Sequence, residues 1–450
     1  GPGSRIYGPN AFSGAINIIT AENASDEIRI SAEAGEHNTY KSNLNLNLNH
    51  RQFSHFIHAG KSTSGGYRDN TDYDISRLFL HSKLKIRNSK LGLQLGYLTK
   101  ALGANAFYSA RFPDQYEKIK TQFASMNFET GNKLRFSSYL YWKRHHDSFD
   151  LFRYAEPSWY EGNNFHMTDK LGGGLNSWFV WGAGKTSIGL EWHADEIRSN
   201  VLGKPVSYPE AVKGEKKAFY SHSAKRQNLA AFLEHKLETG KLHLSAGLLA
   251  NWNSNYAVSV YPGLDIAYRL TRNFRLIASI NKSLRIPSYT DLYYEGPTNT
   301  GNPNLKPEES LTFESGIKFY NQKISGELII FNRLGENIID WVKPNDTAKW
   351  QSRNLTSLQT TGVQTSVNFR HPFQQGILSG IHFIRISYTY ISMQKSSEDY
   401  ISKYALDQLK HKLVFTLQHN IYRGFGASWI LDYQDRNGSY FDYAKNQEHS

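Results

Sequence analysis

Asn43-Leu44-Asn45-Leu46-Asn47-Leu48-Asn49 is the stretch that decides the fold class. Leucine and asparagine alternate at the period of two expected of a β-strand whose two faces meet different surroundings. The same alternation recurs from about residue 26 to the end of the chain, for example at 91–97, 242–248, 274–280 and 363–369. These segments predict about 19 strands, most of them about 10 or more residues long, which is enough to cross a bilayer at a tilt.

The predicted connections alternate between short and long. Short turns of Gly, Asn, Arg and Lys lie at 50–52, 87–90, 130–133, 239–241 and 270–273, and longer aromatic-rich segments lie at about 101–115, 143–168, 195–222 and 284–308. Short turns at one end and long loops at the other are typical of an outer-membrane barrel. We therefore predict an all-β protein, a transmembrane antiparallel β-barrel. A propeller is disfavoured because we find no repeat of about 40 residues.

Composition supports strands and limits the possible functions. The 28 Tyr and 25 Phe suit half-buried pleated surfaces. Cysteine is absent, which excludes a disulfide framework and a thiolate metal site. The net charge is +12, but the basic residues are spread singly along alternating segments, so we expect no nucleic-acid partner. Aromatic residues near predicted strand ends are candidates for interfacial girdles: Tyr97, Tyr141, Trp142, Trp178, Trp181, Trp192 and Tyr268.

Three motifs resemble those of a known family. Residues 1–20, GPGSRIYGPNAFSGAINIIT, are similar to the end of the plug domain of TonB-dependent outer-membrane receptors, with matches that include Gly8, Gly14 and Asn17. Residues 285–308 resemble the family's R-x-PS, DLY and GNP-x-LKPE elements at Arg285, Pro287, Asn302, Pro303, Leu305, Pro307 and Glu308. Asn354, with TGVQ at 361–364, resembles a further barrel signature. The YALDQLKHK stretch at 404–412 is most similar to the vitamin B12 transporter-like subgroup.

The resemblance implies a division into domains. Residues 1–22 would be the C-terminal end of a plug domain, and residues 23–450 would be the receptor β-barrel. Family barrels have about 22 strands around a large plug. We therefore expect a fragment that lacks most of the plug and about the last three strands of a 22-stranded barrel.

The resemblance also implies a function. The intact receptor would lie in the outer membrane of a Gram-negative bacterium and import a scarce nutrient, namely cobalamin, a ferric siderophore or haem. TonB, working with ExbB and ExbD through the missing N-terminal part, would move the plug. Outer-membrane lipid and a surface lipoprotein are further expected partners. A passive porin or surface adhesin is the alternative, and the plug-end motif argues against it. Since no HExxH, GxSxG or P-loop pattern is present, we expect no enzyme and no required cofactor.

The motif residues are expected to be structural, because glycines supply backbone freedom and Pro303 and Pro307 cannot donate ladder hydrogen bonds. Candidate cargo-binding residues lie instead in the predicted loops. His145, His146 and His166 share one predicted loop with Tyr154 and Tyr160, and imidazole or phenolate can ligate haem iron. Loops of this kind are commonly rich in His and Tyr, so we favour ordinary loop surface. The remaining cargo candidates are Tyr67, Arg111, Tyr293 and Tyr294.

Three aspartates in one predicted loop are candidates for a metal site. Asp69, Asp72 and Asp74, with Asn70, could supply the hard oxygen ligands that calcium prefers. An exposed polar loop that binds no metal is the alternative, and we favour it.

Overall fold

The computed structural model is a long antiparallel β-sheet in which hairpin turns alternate with longer connections. It describes residues 4–18, 25–108, 112–155, 157–160, 162–182, 184–296, 298–345, 347–371, 377–396, 400–403, 408–422, 424–437, 440–442 and 447–449. None of the helices in these ranges is long or apolar enough to span a membrane.

The elements follow one another along the chain with few interruptions. In order they are α1 (Ser4–Tyr7), β1 (Glu27–Gly35), β2 (Thr39–His50), β3 (Phe53–Ser64), β4 (Tyr73–Ile86), β5 (Ser89–Gly103), β6 (Tyr116–Gly131), β7 (Leu134–Asp150), β8 (Asn164–Trp181), β9 (Gly184–Ser199), β10 (Lys204–Ala211), β11 (Phe219–Thr239), β12 (Leu242–Asn253), β13 (Tyr256–Arg269), β14 (Phe274–Arg285), α2 (Tyr289–Tyr293), β15 (Asn299–Thr300), β16 (Glu308–Tyr320), β17 (Ile324–Lys343), β18 (Trp350–Arg370), the 3₁₀ turn η1 (Ile377–Gly380), β19 (Ile381–Ser396), β20 (Ile401–Ser402), β21 (Gln408–Tyr422), β22 (Phe425–Asn437), β23 (Tyr440–Asp442) and β24 (Gln447–His449).

Nineteen of the strands in the described ranges form a continuous wall, which confirms the predicted number and the all-β class. Each wall strand pairs antiparallel with the next, from β1 to β22. The short strands β10, β15 and β20 lie in long connections and pair with the ends of β11, β18 and β17. β23 and β24 form a separate hairpin. Within the described residues no ladder joins β22 to β1, so the wall is an open sheet there.

The two faces of the wall have opposite character. Leu44 of β2 lies opposite Ile30 of β1 and Ala59 of β3, so these residues share one face. On the same face, Leu91, Leu93 and Leu95 of β5 are each about two fifths exposed. We call this apolar side the outer face, because a sheet whose apolar side chains point outward suits contact with lipid. The opposite, polar face is called the lumenal face.

Aromatic residues border the outer face as predicted, with two exceptions. Tyr97, Trp142, Trp181, Trp192 and Tyr268 lie on the outer face. Tyr141 and Trp178 lie on the lumenal face, so their assignment to a girdle was wrong. Tyr141 stacks on Tyr139, whose hydroxyl donates to lumenal Glu191, and Trp178 lies opposite Ser187, which lies opposite lumenal Glu234. Successive residues of a strand face opposite sides, and aromatic character alone does not reveal which side.

The strands extend further than the alternation predicted. The predicted loop at 143–168 is reduced to 151–163, because β7 continues to Asp150 and β8 begins at Asn164. The ladder persists there although the strict alternation of apolar and polar residues is lost, since backbone pairing does not require that alternation. Most of the long connections that remain lie at one end of the wall, which we call the long-loop end; the connection between β18 and β19, at 371–380, lies at the other.

Candidate functional site in the lumen and at the long-loop end

The N-terminal segment 4–12, which we call the strap, lies against the lumenal face. It runs alongside β14, the strand that leads into the long connection before β16. Three hydrogen bonds join the strap to β14: Leu284 N to Ser4 Oγ (3.2 Å), Asn10 N to Leu284 O (2.9 Å) and Ser283 Oγ to Phe12 O (3.1 Å). A fourth, from Ile286 N to Asn10 Oδ1 (3.0 Å), joins it to the residue just after the strand. The strap is therefore bound along the wall over its whole length.

Arg5 is the charged anchor of the strap. Its side chain is only 3% exposed and forms ion pairs with Asp265 of β13 and, at 3.7 Å, with Glu234 of β11. Glycines clear the space for it: a Cβ on Gly247 would lie 2.9 Å from Arg5 Cδ, and one on Gly263 would lie 2.9 Å from Arg5 Nη1. The wall thus has a slot of complementary shape and charge for this side chain.

Gly8 ends the short helix α1. Its φ is +76°, a conformation that favours glycine, and its N–H donates to Ser4 O at 2.9 Å. Phe12, further along, lies under the Arg333 guanidinium at 5.7 Å. The other two plug-end motif residues, Gly14 and Asn17, are exposed. The contacts to the wall are therefore concentrated before residue 13.

The R-x-PS to LKPE motif fastens the connection between β14 and β16. Arg285 holds Glu308 through two hydrogen bonds, one of them 2.7 Å long, and lies 3.6 Å from Asp291. Glu308 is 4% exposed and also accepts from Ile339 N at 2.6 Å. One ion pair thereby joins β14, β16 and β17 and the start of α2.

α2 is held at both ends. Ser288 and Asp291 form a capping box at its N-terminus, and the Asp291 carbonyl accepts from Ser352 Oγ (2.6 Å) and Asn302 N (3.0 Å). A Cβ on Gly301 would lie 2.9 Å from the α2 backbone, so the loop packs closely here.

The LKPE part of the same connection is fixed by its neighbours. Asn354 accepts from Lys306 N at 2.9 Å and donates to Lys306 O at 3.0 Å. Leu305 is 2% exposed, and the flanking Pro303 and Pro307 lie in the irregular segment before β16. These contacts give the motif a structural role in shaping the connection.

Tyr289 joins α2 to the lumenal face. Its hydroxyl donates to Asp195 Oδ2 at 3.0 Å, its ring lies 4.4 Å from the Arg226 guanidinium, and Arg226 donates to the Pro287 carbonyl at 2.9 Å. Burial, with the nearby Asp195 carboxylate, raises the pKa of the Tyr289 hydroxyl, so this group stays a hydrogen-bond donor. The candidates Tyr293 and Tyr294 are half-buried and pack against the cluster of Ile197, Leu202 and Tyr289.

The three candidate histidines do not lie in one loop, so that prediction was wrong. His145 and His146 are in β7 and His166 is in β8. His145 and His166 share the lumenal face, where they pair with Thr121 Oγ1 and Ser199 Oγ, both at 2.8 Å. His146 lies on the outer face, opposite Lys120. Adjacent strand residues point to opposite sides, so this set cannot converge on one ligand.

Two of the three candidate calcium ligands, Asp72 and Asp74, have carboxylates that pair with basic side chains. Asp72 forms two hydrogen bonds with Arg153, of 2.5 and 2.9 Å, and Arg153 holds the pKa of that carboxyl below its usual range. Asp74 pairs with Lys61, and the Asp69 carbonyl accepts from Asn105 at 2.7 Å. In the part of the chain that the structure describes, no group of three or more His, Asp or Glu could hold a metal ion.

An aromatic cluster, absent from the predicted set except for Tyr160, covers the long-loop end near Asp72. Phe152 packs edge-on against Phe112, Trp159 and Tyr160 with ring centroids 5.2–5.5 Å apart. Arg153 lies 4.0 Å from the Tyr116 ring. The density of aromatics at 149–160 was the only sequence signal for this cluster.

The remaining candidates lie around this cluster. Tyr67 and Tyr154 are about two thirds exposed, each beside an arginine, Arg68 or Arg153. Arg111 lies outside the described residues. Exposed rings and guanidinium groups therefore share one end of the wall.

A polar face, an apolar face, long loops at one end and an N-terminal strap bound to the polar face are the features of a membrane β-barrel. The family model described as TonB dependent receptor-like, beta-barrel, matches residues 20–449. The chain belongs to this family.

Similar proteins agree with this assignment. The vitamin B12 transporter BtuB of Vibrio vulnificus strain CMCP6 is 23% identical over 394 residues, covering 80% of this chain and 58% of the transporter. A BtuB of Photobacterium profundum is 22% identical over 242 residues, covering 53% and 33%. The chain thus spans less than two thirds of these relatives.

Solved structures show the same fold. A variant of the ferric enterobactin receptor PfeA from Pseudomonas aeruginosa superimposes with a TM-score of 0.76 at 16% identity, covering 100% of this chain and 74% of the receptor. The siderophore receptor PirA from the same organism gives 0.71 at 16% identity, with 98% and 78% covered. At such identities the likeness extends to the fold alone.

Proposed function

We propose that the protein is an outer-membrane receptor that imports a scarce nutrient into a Gram-negative cell by energy-coupled movement of a plug. In this proposal residues 1–22 are the end of the plug and residues 23–450 belong to the barrel. TonB, with ExbB and ExbD, supplies the force through plug sequence upstream of the strap. No catalytic group is needed for such import.

The strap is the observation that carries the proposal. A passive pore needs an open lumen and gains nothing from a peptide bound along its inner wall. A plug that is pulled by a partner must instead stay attached at its far end. Arg5 in its glycine-lined slot, together with four hydrogen bonds to β14 and the residue that follows it, supplies such an attachment.

For the cargo, cobalamin is the first candidate to test, because the curated relatives are named as vitamin B12 transporters. Ferric siderophores and haem remain the other two. The exposed aromatic rings at the long-loop end, among them Tyr67, Tyr154 and Trp159, offer stacking surfaces to a planar or aromatic cargo. Calcium at Asp69, Asp72 and Asp74 is not required by this proposal.

The test is uptake by the intact gene product in a Gram-negative strain that lacks its own receptors. Cyanocobalamin, haemin and a ferric catecholate siderophore are supplied separately, with tonB present or deleted. We expect saturable uptake of one of the three that is lost without tonB. Uptake that is unsaturable and independent of tonB would show a passive pore, and surface attachment without any uptake would show an adhesin.

A further inference from the structure

A basic patch lies on the outer face of β6 and β7, just above the apolar band. It consists of Lys118 and Lys120 on β6 with Arg144 and His146 on β7. Lys120 lies directly opposite His146, and Gln122 lies directly opposite Arg144, so all of these side chains share the outer face. We call these four residues the β6–β7 patch.

The height of the patch follows from the ladder. Below it, β6 presents Phe128, Met126 and Ala124 to the outer face, and Ala124 lies opposite Trp142. The aromatic border is at Tyr97, which lies opposite Gln122. Lys120 is one outward position higher, ~7 Å along the strand and ~5 Å along the membrane normal at a tilt of ~45°. That depth is the headgroup layer of a bilayer.

The two lysines are held in place without being neutralised. Lys120 Nζ lies 5.7 Å from the Tyr97 ring centre, and Lys118 Nζ lies 5.8 Å from that of Tyr116. Glu117, their neighbour in sequence, faces the lumen, where it accepts from the Tyr108 hydroxyl. Among the described residues, no carboxylate lies within ion-pair distance of either lysine.

Several other basic side chains above the apolar band of the outer face are paired with carboxylates, whereas Arg353 of β18 binds Gln351 and Tyr400 instead. Lys61 pairs with Asp74, Arg198 with Glu196 and Glu210, and Lys225 with Glu196. Arg144 itself binds Asp169 through two hydrogen bonds of 2.7 and 2.8 Å while lying 5.8 Å from the Trp142 ring. Within the described residues, Lys118 and Lys120 are therefore two neighbouring positive charges of the outer face that no ion pair balances.

We propose that the β6–β7 patch binds the phosphate of a lipid headgroup in the outer leaflet, a phosphorylated glycolipid such as lipid A. The two ammonium groups supply the charge, His146 supplies a ring N–H, and the apolar band beneath accommodates the acyl chains. The proposal rests on the membrane location in the proposed function, but not on the cargo or on TonB. Lysines close to an anionic membrane surface each strengthen binding several-fold.

The experiment is native mass spectrometry of the intact receptor, extracted in mild detergent, stripped of lipid and titrated with diphosphoryl lipid A. The variant is Lys118→Gln with Lys120→Gln. The matched control is Lys216→Gln with Lys217→Gln, which removes the same charge from an exposed segment of the long-loop end. A Lys118→Arg, Lys120→Arg variant keeps the charge, and circular dichroism confirms the β-fold of each protein.

We expect the glutamine variant to bind diphosphoryl lipid A about tenfold more weakly than the wild type. The control and the arginine variant should bind within about twofold of the wild type. Dephosphorylated lipid A should bind wild type and glutamine variant equally. Equal binding of diphosphoryl lipid A by wild type and glutamine variant would overturn the proposal. Complete competition by millimolar inorganic phosphate would also overturn it, since the site would then recognise a free anion instead of a lipid.

Discussion

Removal of the Arg5 charge should release the strap from the wall. In Arg5→Met the side chain keeps much of its length, but Asp265 loses its cation and Glu234 keeps only Lys236, at 3.6 Å. Breaking a buried pair by removing one partner costs ~3–5 kcal/mol. Since Glu234 is only 10% exposed but Asp265 is 44% exposed, solvent screening reduces this, and we expect ~2–3 kcal/mol.

The loss should be visible at two backbone amides at the end of β14 and just beyond it. Leu284 N donates to Ser4 Oγ and Ile286 N donates to Asn10 Oδ1, so both become exchangeable when the strap lifts. A loss of ~2–3 kcal/mol corresponds to ~30- to 150-fold faster exchange if strap opening limits exchange. Hydrogen–deuterium exchange of the intact receptor, followed in the peptide that covers 280–290, measures this directly.

The control is Arg272→Met, the same substitution in the exposed turn between β13 and β14, which should leave the exchange unchanged. Gly247→Ala should act in the same direction as Arg5→Met, because its Cβ would lie 2.9 Å from Arg5 Cδ. In Arg5→Ala the alanine at 247 should cost less than it does beside Arg5. Exchange in Arg5→Met within about twofold of the wild type would refute the anchoring role.

Three further predictions concern the long-loop end. Glu308→Gln should destabilise the connection before β16 by ~2–3 kcal/mol, because Glu308 is 4% exposed and pairs with Arg285. Faster proteolysis within 286–307 would show this loss. The control is Glu238→Gln, the same substitution at a largely exposed residue. Because the pKa of Asp72 is lowered, its ion pair with Arg153 stabilises the loop at neutral pH, and this stabilisation is lost as the pH falls below about 4. In the wild type, proteolysis of the 65–72 loop should become faster below that pH. In Asp72→Asn the rate of proteolysis should show no such rise. Tyr289→Phe should weaken the attachment of α2 by ~1 kcal/mol, because the hydrogen bond to Asp195 is lost. Faster amide exchange in α2 would show this, and unchanged exchange would contradict the prediction. The control is Tyr40→Phe, at an exposed position.

The family motifs were recognisable in sequence because their residues form local features, such as helix caps and strand ends. Ser288 and Asp291 cap a helix, Pro303 and Pro307 lie in the irregular segment before a strand, and Arg285 and Glu308 end one strand and begin another. Their roles depend on short-range geometry. Arg5, in contrast, gave no signal, because its partners are 229 and more residues away, on β11 and β13.

The amino-acid sequence by itself determined the wall: the alternation set which residues face lipid, and the turns set the number of strands. It did not determine which strand ends continue beyond the membrane, because the apolar pattern fades there while backbone pairing persists. The tertiary structure alone therefore showed that His145 and His146 lie in a strand, on opposite faces of it. It also showed that Lys118 and Lys120 lie on the outer face near Tyr97. Register between strands, invisible in any single segment, places those side chains together.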